Sequence, residues 1–346
     1  MERELHLVKL LQGQRGAAAI WFVLCLPVLL GFAALAVDLA RLNITKVELQ
    51  NAADAAALAG ARSLATAGGS PYNWEAAGSA ALAVARANRA NAVQIHDAVI
   101  ETGYWNLGNP SLGLRSLSTP GAGDVPAVSV TVALSGTQNG GPLKLFFAPL
   151  LGIAESCVQA GATCMIAPPA GGTGIFPFVI SKKMLDNYWN TAANAPVVDS
   201  HGVAPAIRLG STYIINKVSV LSGQWTTFQS SEKDPSVQYV VGLMRTGNTI
   251  SLSIGQDTYI QPGAKASVYS EIPVGQDVAM FVVDDVVTDS FQPVYAIAAF
   301  HITGYNQGAK YIEGHFTSNV PTGTTNPGDG VGVPYYGAYT PPLLVQ

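Results

Sequence analysis

Between Gly16 and Val37 the chain carries no charged side chain, and this run constrains everything that follows it. At about 1.5 Å of rise per residue the run reaches roughly 33 Å as a helix, enough to cross a hydrocarbon core of about 30 Å. A helix satisfies its own backbone N–H and C=O groups where no water can, so the run predicts a transmembrane helix over 16–37. A cleaved signal peptide would have a shorter apolar stretch and a small-residue cleavage site at its end. Here the run passes into Ala36-Val37-Asp38-Leu39-Ala40-Arg41, which stays helical, and a retained anchor is the expectation. Arg3, Lys9 and Arg15 precede the span, while Arg41 and Lys46 follow it closely. The positive-inside bias is therefore small, and it favours residues 1–15 in the cytoplasm with the bulk of the chain outside.

The remainder is long enough for two domains of ordinary size. Only 12% of the 346 residues are charged and the net charge is −4, which argues against a nucleic-acid partner, since that needs a basic face. After the membrane, Leu49, Ala53, Ala56 and Gly60 fall on one helical stripe of small residues, with Asp38, Arg41 and Glu48 on another face. Two readings stay open. The stripe packs onto the chain's own globular part, or it is a helix-packing interface for neighbouring copies or partner helices. A second helix is expected from a Ser70 cap and Pro71 to about Asn91. Strands are expected at 94–100, 101–106, 127–134 and 157–166, with a short helix over 143–151, giving an α+β region across 38–166.

Ala167-Pro-Pro-Ala-Gly-Gly-Thr-Gly174 has the composition of a linker. Beyond it, residues 175–318 read as a mainly β domain of short strands, a compact sandwich or half-barrel. One helix interrupts it, capped by Asp234, started by Pro235 and stopped by Gly247. Residues 319–346, rich in Gly, Pro and Tyr, are expected to be an extended tail.

Three cysteines are present. Cys25 lies in the span. Cys157 and Cys164 lie outside it, and an even pair in an oxidising compartment invites a disulfide. Along one straight strand they would sit about 20 Å apart, so a bridge requires a turn near Gly161. His301 and His315 fall on neighbouring expected strands, and Asp284, Asp285 and Asp289 cluster after a strand end, where a loop can hold calcium. Neither spacing matches an established metal motif. No nucleotide-binding or hydrolase motif is present, so no cofactor and no catalytic set is nominated, and the residues point to a non-catalytic protein.

The segment 16–61 resembles the N-terminal domain of TadG-like proteins of the Tad/Flp (tight adherence) pilus system. The residues that carry the resemblance are Arg15-Gly16-Ala-Ala-Ala, then Leu26-Pro27-Val-Leu-Leu, then Ala36-Val37-Asp38-Leu39-Ala40-Arg41, then Leu49-Gln50-Asn51-Ala52-Ala53-Asp54-Ala55-Ala56-Ala57-Leu58-Ala59-Gly60. It extends more loosely through Thr102–Trp105, Ala127–Val132 and Leu145–Gly152. The resemblance implies a pilin-like α+β domain and an accessory or minor pilus component held in the bacterial inner membrane and facing the periplasm. Its implied partners are other Tad pilus subunits, inner-membrane assembly proteins and the lipid bilayer, with homo- or hetero-oligomers through the N-terminal helix. Related pilin-like subunits carry a glutamate five residues after a prepilin-peptidase site. If Gly16 is the matching glycine, Trp21 stands in that place, which removes the carboxylate. The Asp-x-Ser-x-Ser run of a von Willebrand-type domain is absent. The competing readings are a membrane-tethered ligand-binding module of adhesin type, built on residues 175–318, and a tethered hydrolase.

Overall fold

The structure, a computed structural model, describes residues 2–66, 72–116, 120–231, 233–263, 265–318, 320–323, 327 and 333–346, with side-chain surroundings from Ala19 onward. The expected Ser70 cap and Pro71 lie outside the described residues. The chain clusters into two compact units, each described by itself: unit 1 is 1–53, 84–99 and 131–161, and unit 2 is 54–83, 100–130 and 162–346.

Helix α1, Glu2–Ser63, runs unbroken through Pro27. Its stretch Ala19–Ser63 is the one helix among the described residues long and apolar enough to cross a membrane. From Ile20 to Val37 the large apolar side chains stand exposed around the helix, consistent with a single-pass anchor. Burial begins at Asp38 and recurs at Thr45, Leu49, Ala52, Ala53, Ala56, Ala57 and Ala61. That period places one face of the helix against protein once the span has ended.

Unit 1 is built on the first part of α1. A hairpin joins Arg89–Ala90 to Val93–Gln94, turning through Asn91 and Ala92, both at positive φ. A second antiparallel pair sets Leu143–Lys144 against Glu155–Ser156. Residues 143–151, where the apolar run suggested a helix, instead form the strand Leu143–Lys144 followed by a single 3-10 turn, Ala148–Leu151. Pro149 and Gly152 explain the short length: proline opens the turn and glycine ends it in the left-handed region at φ +84°.

Unit 2 contains a helix–sheet layer and a β layer. Helix α2 is Trp74–Ala87 and is capped by Asn73, whose Oδ1 accepts from the Ala76 N–H at 3.0 Å. A five-stranded sheet has the order Leu343–Leu344, Val158–Met165, Asp124–Leu134, Val99–Asn106, Leu114–Arg115. Its central strand alternates as expected, and its core includes Trp105, Val125, Ala127 and Met165. The seven-stranded sheet has the order Ile207–Leu209, Tyr311–Phe316, Ser290–Asn306, Asp257–Ile260, Gly223–Phe228, Phe176–Ser181, Asp277–Val283. The last strand also pairs with Ser290–Asn306, so the sheet closes on itself. The expected half-barrel is thus a closed one. The closure depends on the length of Ser290–Asn306, whose start pairs with Asp257–Ile260, its middle with Asp277–Val283 and its end with Tyr311–Phe316. Phe281, Val179, Ile260 and Ile297 fill the core. Trp225 is fully enclosed, edge-on to Phe178 and Tyr269, and its indole N–H donates to the Tyr269 hydroxyl at 3.0 Å.

Several expectations need correction. The helix stopped by Gly247 is present, α4 at Val237–Thr246 in chain order after a short α3 at Lys182–Tyr188, which the sequence reading missed. Ser236 caps α4, in place of Asp234, accepting from the Tyr239 N–H at 3.1 Å. Gly247 adopts φ +65°, and a Cβ there would collide with Gly174. Ala266–Ser270, which reads from sequence as one of the short strands, lies in a 3-10 helix, Ala266–Glu271. The expected linker 167–174 is folded in: Ala167 is buried and Gly171–Gly172 pairs with Leu252–Ser253. Asn248 holds this segment through Nδ2 to the Gly172 carbonyl and Oδ1 from the Ile175 N–H. The tail is only partly extended. Tyr336, Ala338 and Tyr339 are buried, and Leu343–Leu344 pairs with Met165 and Cys164.

Candidate functional site

The most developed polar site in unit 1 sits where α1 leaves the predicted span. Asp38 is 2% exposed. One carboxylate oxygen accepts from the Phe146 N–H at 2.8 Å, and the other accepts from Phe147 at 2.8 Å and Ala148 at 2.7 Å. Burial works against the charge, and the three N–H donors together with the neighbouring Arg41 outweigh it, holding the carboxyl below the usual carboxylate range. The site exists because the Phe146–Ala148 backbone turns into a 3-10 helix, which leaves its first N–H groups without internal partners.

Arg41, one turn further along α1, completes the arrangement. Its guanidinium donates to the Lys144 carbonyl at 2.6 Å and to Asn91 Oδ1 at 3.0 Å, and it lies over the Phe146 ring at 4.4 Å. Glu48 accepts from the Asn91 N–H at 2.6 Å, tying down the left-handed hairpin turn. Asn139 is buried and fully used: Oδ1 accepts from the His96 and Asp97 N–H groups, and Nδ2 donates to the Asp97 and Ala133 carbonyls. Apart from the Arg41–Asn91 side-chain bond, each of these charged or amide groups bonds to backbone, which makes the network a clamp on chain geometry rather than a reactive centre.

Beside the clamp lies an apolar groove of about 310 Å³, lined on α1 by Val28, Phe32 and Leu35 and on the 143–156 hairpin by Phe147, Leu150 and Leu151.

In unit 2 a cleft of about 400 Å³ is lined by Trp225, Thr227, Gln261, Lys233, Lys265 and Lys310, among others. Lys233 pairs with Asp289 at 2.9 Å and Lys265 with Asp234 at 3.1 Å.

The residues nominated from sequence separate under this geometry. Leu49, Ala53 and Ala56 are fully buried and Gly60 is buried with them, so the stripe is covered by the chain itself and is not an exposed face awaiting a partner. Around Gly60 the neighbours are Ala77, Ala81 and Val128. Cys157 and Cys164 are free thiols, one exposed and one buried. They flank and occupy the same extended strand, so no turn at Gly161 brings them together, and burial pushes the Cys164 thiol up to about 12. His301 and His315 do meet as register partners, with ring centroids 5.1 Å apart, and His301 Nδ1 contacts Asp277 at 2.6 Å. Asp285 is taken by Lys183, and Asp289 by Lys233 and the Tyr259 hydroxyl. Among the described residues no group of three or more His, Cys, Asp or Glu side chains is placed to hold a metal ion. The clamp itself was missed as a site. Its signal was a lone aspartate at the end of an apolar span together with a distant apolar run, Leu145–Ala154, that has no helical period.

Comparison with known families gives two matches. The Flp pilus-assembly TadE/G-like family model matches residues 16–63, and the Tad-like Flp pilus-assembly family model matches residues 48–164. No curated protein and no solved structure matches the chain. The two matches overlap along α1 and together take in the span, Asp38, Arg41, Glu48, Asn139 and the 143–156 hairpin. Over residues 16–164 the chain is thus similar to Tad/Flp pilus-assembly proteins, TadE/G-like in the first part and Tad-like in the second.

Proposed function

We propose that the chain is a non-catalytic, membrane-anchored accessory or minor subunit of the pilus assembly machine, in the inner membrane with its bulk in the periplasm. The observation that carries this reading is the location of the clamp. Asp38 and Arg41 follow the span directly and bind the backbone of the same hairpin, so the hairpin of unit 1 is fixed to the anchor within one helical turn. Such a joint suits a protein that transmits position between the membrane and other subunits. Arg3, Lys9 and Arg15 before the span favour the orientation. Deleting the gene and counting pili on cells tests the role, with co-purification of the tagged full chain and pilus subunits as the second readout. Normal pilus number and length in the deletion strain, with no pilus subunit recovered, would refute it. A reporter active only outside the cytoplasm, fused after Gln346, tests the orientation; an inactive fusion reverses it.

A second reading is supported by the cleft of unit 2, which has the size of a small-ligand site and three lysines in its lining, Lys233 and Lys265 paired with Asp289 and Asp234 and Lys310 beside them. In that reading the protein also holds an anionic surface ligand, such as an acidic glycan, as a tip adhesin does. Binding of an acidic oligosaccharide to the full chain, lost in a Lys233→Ala, Lys310→Ala variant, would support it; no binding by the wild type removes it.

A further inference from the structure

We propose that the hairpin tip Leu145–Ala154 is a second membrane anchor, inserted among the lipid acyl chains beside the transmembrane helix. The tip contains no charged residue. Its large side chains point away from the protein: Leu150 is 86% exposed and Leu151 71%, with Phe146, Phe147 and Ile153 exposed as well. An apolar cluster of this kind on a water-facing loop would be an uncompensated cost.

Where the tip lies decides what covers it. Phe147, Ala148, Leu150 and Leu151 line the same groove as Val28, Gly31, Phe32, Ala34 and Leu35. Those α1 residues lie roughly 5–15 Å below Asp38 along the helix axis, inside the hydrocarbon if the uncharged run spans it. A loop that shares a groove with them is at acyl-chain depth. The base of the hairpin supplies the opposite boundary: Lys144 and Glu155 pair there, both side chains largely open to water. A charged base and an apolar tip match the step from headgroups to hydrocarbon.

Most of the tip's backbone N–H groups meet that condition. Lipid offers no hydrogen bonds, so a non-helical segment at that depth must bond its own N–H groups. Leu145 donates to the Ala154 carbonyl, Leu150 to Phe147, Gly152 to Pro149 and Ile153 to Ala148. Pro149 has no N–H to place. Phe146, Phe147 and Ala148 donate to Asp38. The Asp38 carboxylate thereby supplies the acceptors that water would supply to a surface loop.

The proposal rests on the span being in the membrane, and the test separates the two. The full chain is reconstituted in phospholipid nanodiscs in a Cys25→Ala, Cys157→Ser background, with an environment-sensitive fluorophore on a single introduced cysteine at Leu35→Cys, Leu150→Cys or Ile214→Cys. Leu150 packs little and Ile214 is an exposed site in unit 2, so neither change removes core contacts. Acyl-chain nitroxide lipids should quench Leu150 about as strongly as Leu35 and several-fold more than Ile214, while aqueous iodide should quench Ile214 alone. Iodide quenching at Leu150 equal to that at Ile214, with Leu35 still lipid-quenched, overturns the insertion and leaves the span intact. Lipid quenching at neither Leu35 nor Leu150 overturns both.

Discussion

Asp38 and Phe147 lie 109 positions apart in the chain and meet through a 2.8 Å hydrogen bond from the Phe147 N–H to the carboxylate. Asp38→Ala leaves three adjacent N–H groups without acceptors next to an apolar groove. Amide exchange at Phe146–Ala148 should then accelerate by about tenfold or more, since local opening no longer breaks charge-assisted bonds. The pH dependence follows from the sign of the shift. A carboxyl held below its ordinary range contributes stability above the unfolded value, and that contribution is lost as pH falls through the folded one. Protection of these amides relative to their intrinsic exchange rate should in the wild type be steady near neutrality and fall below about pH 4. An unchanged exchange rate in Asp38→Ala would show that the carboxylate does not hold the turn.

The buried stripe on α1 predicts folding defects in place of selective loss of partners. A Cβ on Gly60 would sit 2.9 Å from Val128 Cγ1 and 3.1 Å from both the Ala77 carbonyl oxygen and Ala81 Cβ. Gly60→Val should lower stability by about 1–3 kcal/mol, and Ala53→Leu or Ala56→Leu should do the same, because a close-packed site has no room for added methylenes. Denaturant midpoints in detergent measure this. A Gly60→Val protein as stable as the wild type would mean the helix can shift away from Ala77 and Ala81.

Thiol labelling separates the cysteines. Cys157 is exposed, whereas Cys164 is buried on a strand that has partners on both edges, with its thiol pushed up to about 12. Without reductant, mass spectrometry should show Cys157 alkylated in the folded, membrane-embedded protein and Cys164 only after denaturation. Failure of both to react until a reductant is added would instead show a disulfide.

His315 gives the closed barrel an acid sensitivity. Burial and the nearby His301 depress its protonation, while Asp277 acts the other way. With a folded value below the ordinary imidazole value, the neutral ring stabilises the fold at pH above about 6.5, and that stability is lost as pH falls through the folded value. The thermal midpoint of the wild type should fall between pH 7 and 5, and His315→Gln should flatten that part of the profile. Parallel profiles for the two proteins would assign the acid response elsewhere.

Elements set by local rules were readable from the chain alone. The uncharged span, the Gly247 stop and the strand Tyr311–Phe316 each announce themselves within a few residues. The meeting of His301 and His315 follows from two strands joined by a short turn. What escaped depends on partners far away in sequence. Asp38 looks like an ordinary polar residue at a helix surface until the 146–148 backbone arrives. The segment 167–174 has linker composition, but Asn248 binds its backbone from more than seventy positions on. Lys182–Tyr188 is a short helix with no side-chain cap bond, so the local signals that mark a start were missing.

The strand Leu343–Leu344 has a consequence for the integrity of the sheet it joins. It covers the edge of Val158–Met165, and Thr163 exchanges further bonds with Val345 and Gln346. The outer strand of this sheet therefore comes from a segment far from its partner in sequence. Without it the edge at Ala162–Met165 is an unpaired template for another strand. Removing Leu343–Gln346 should thus expose a β edge open to pairing with other chains and to recognition by quality-control proteases.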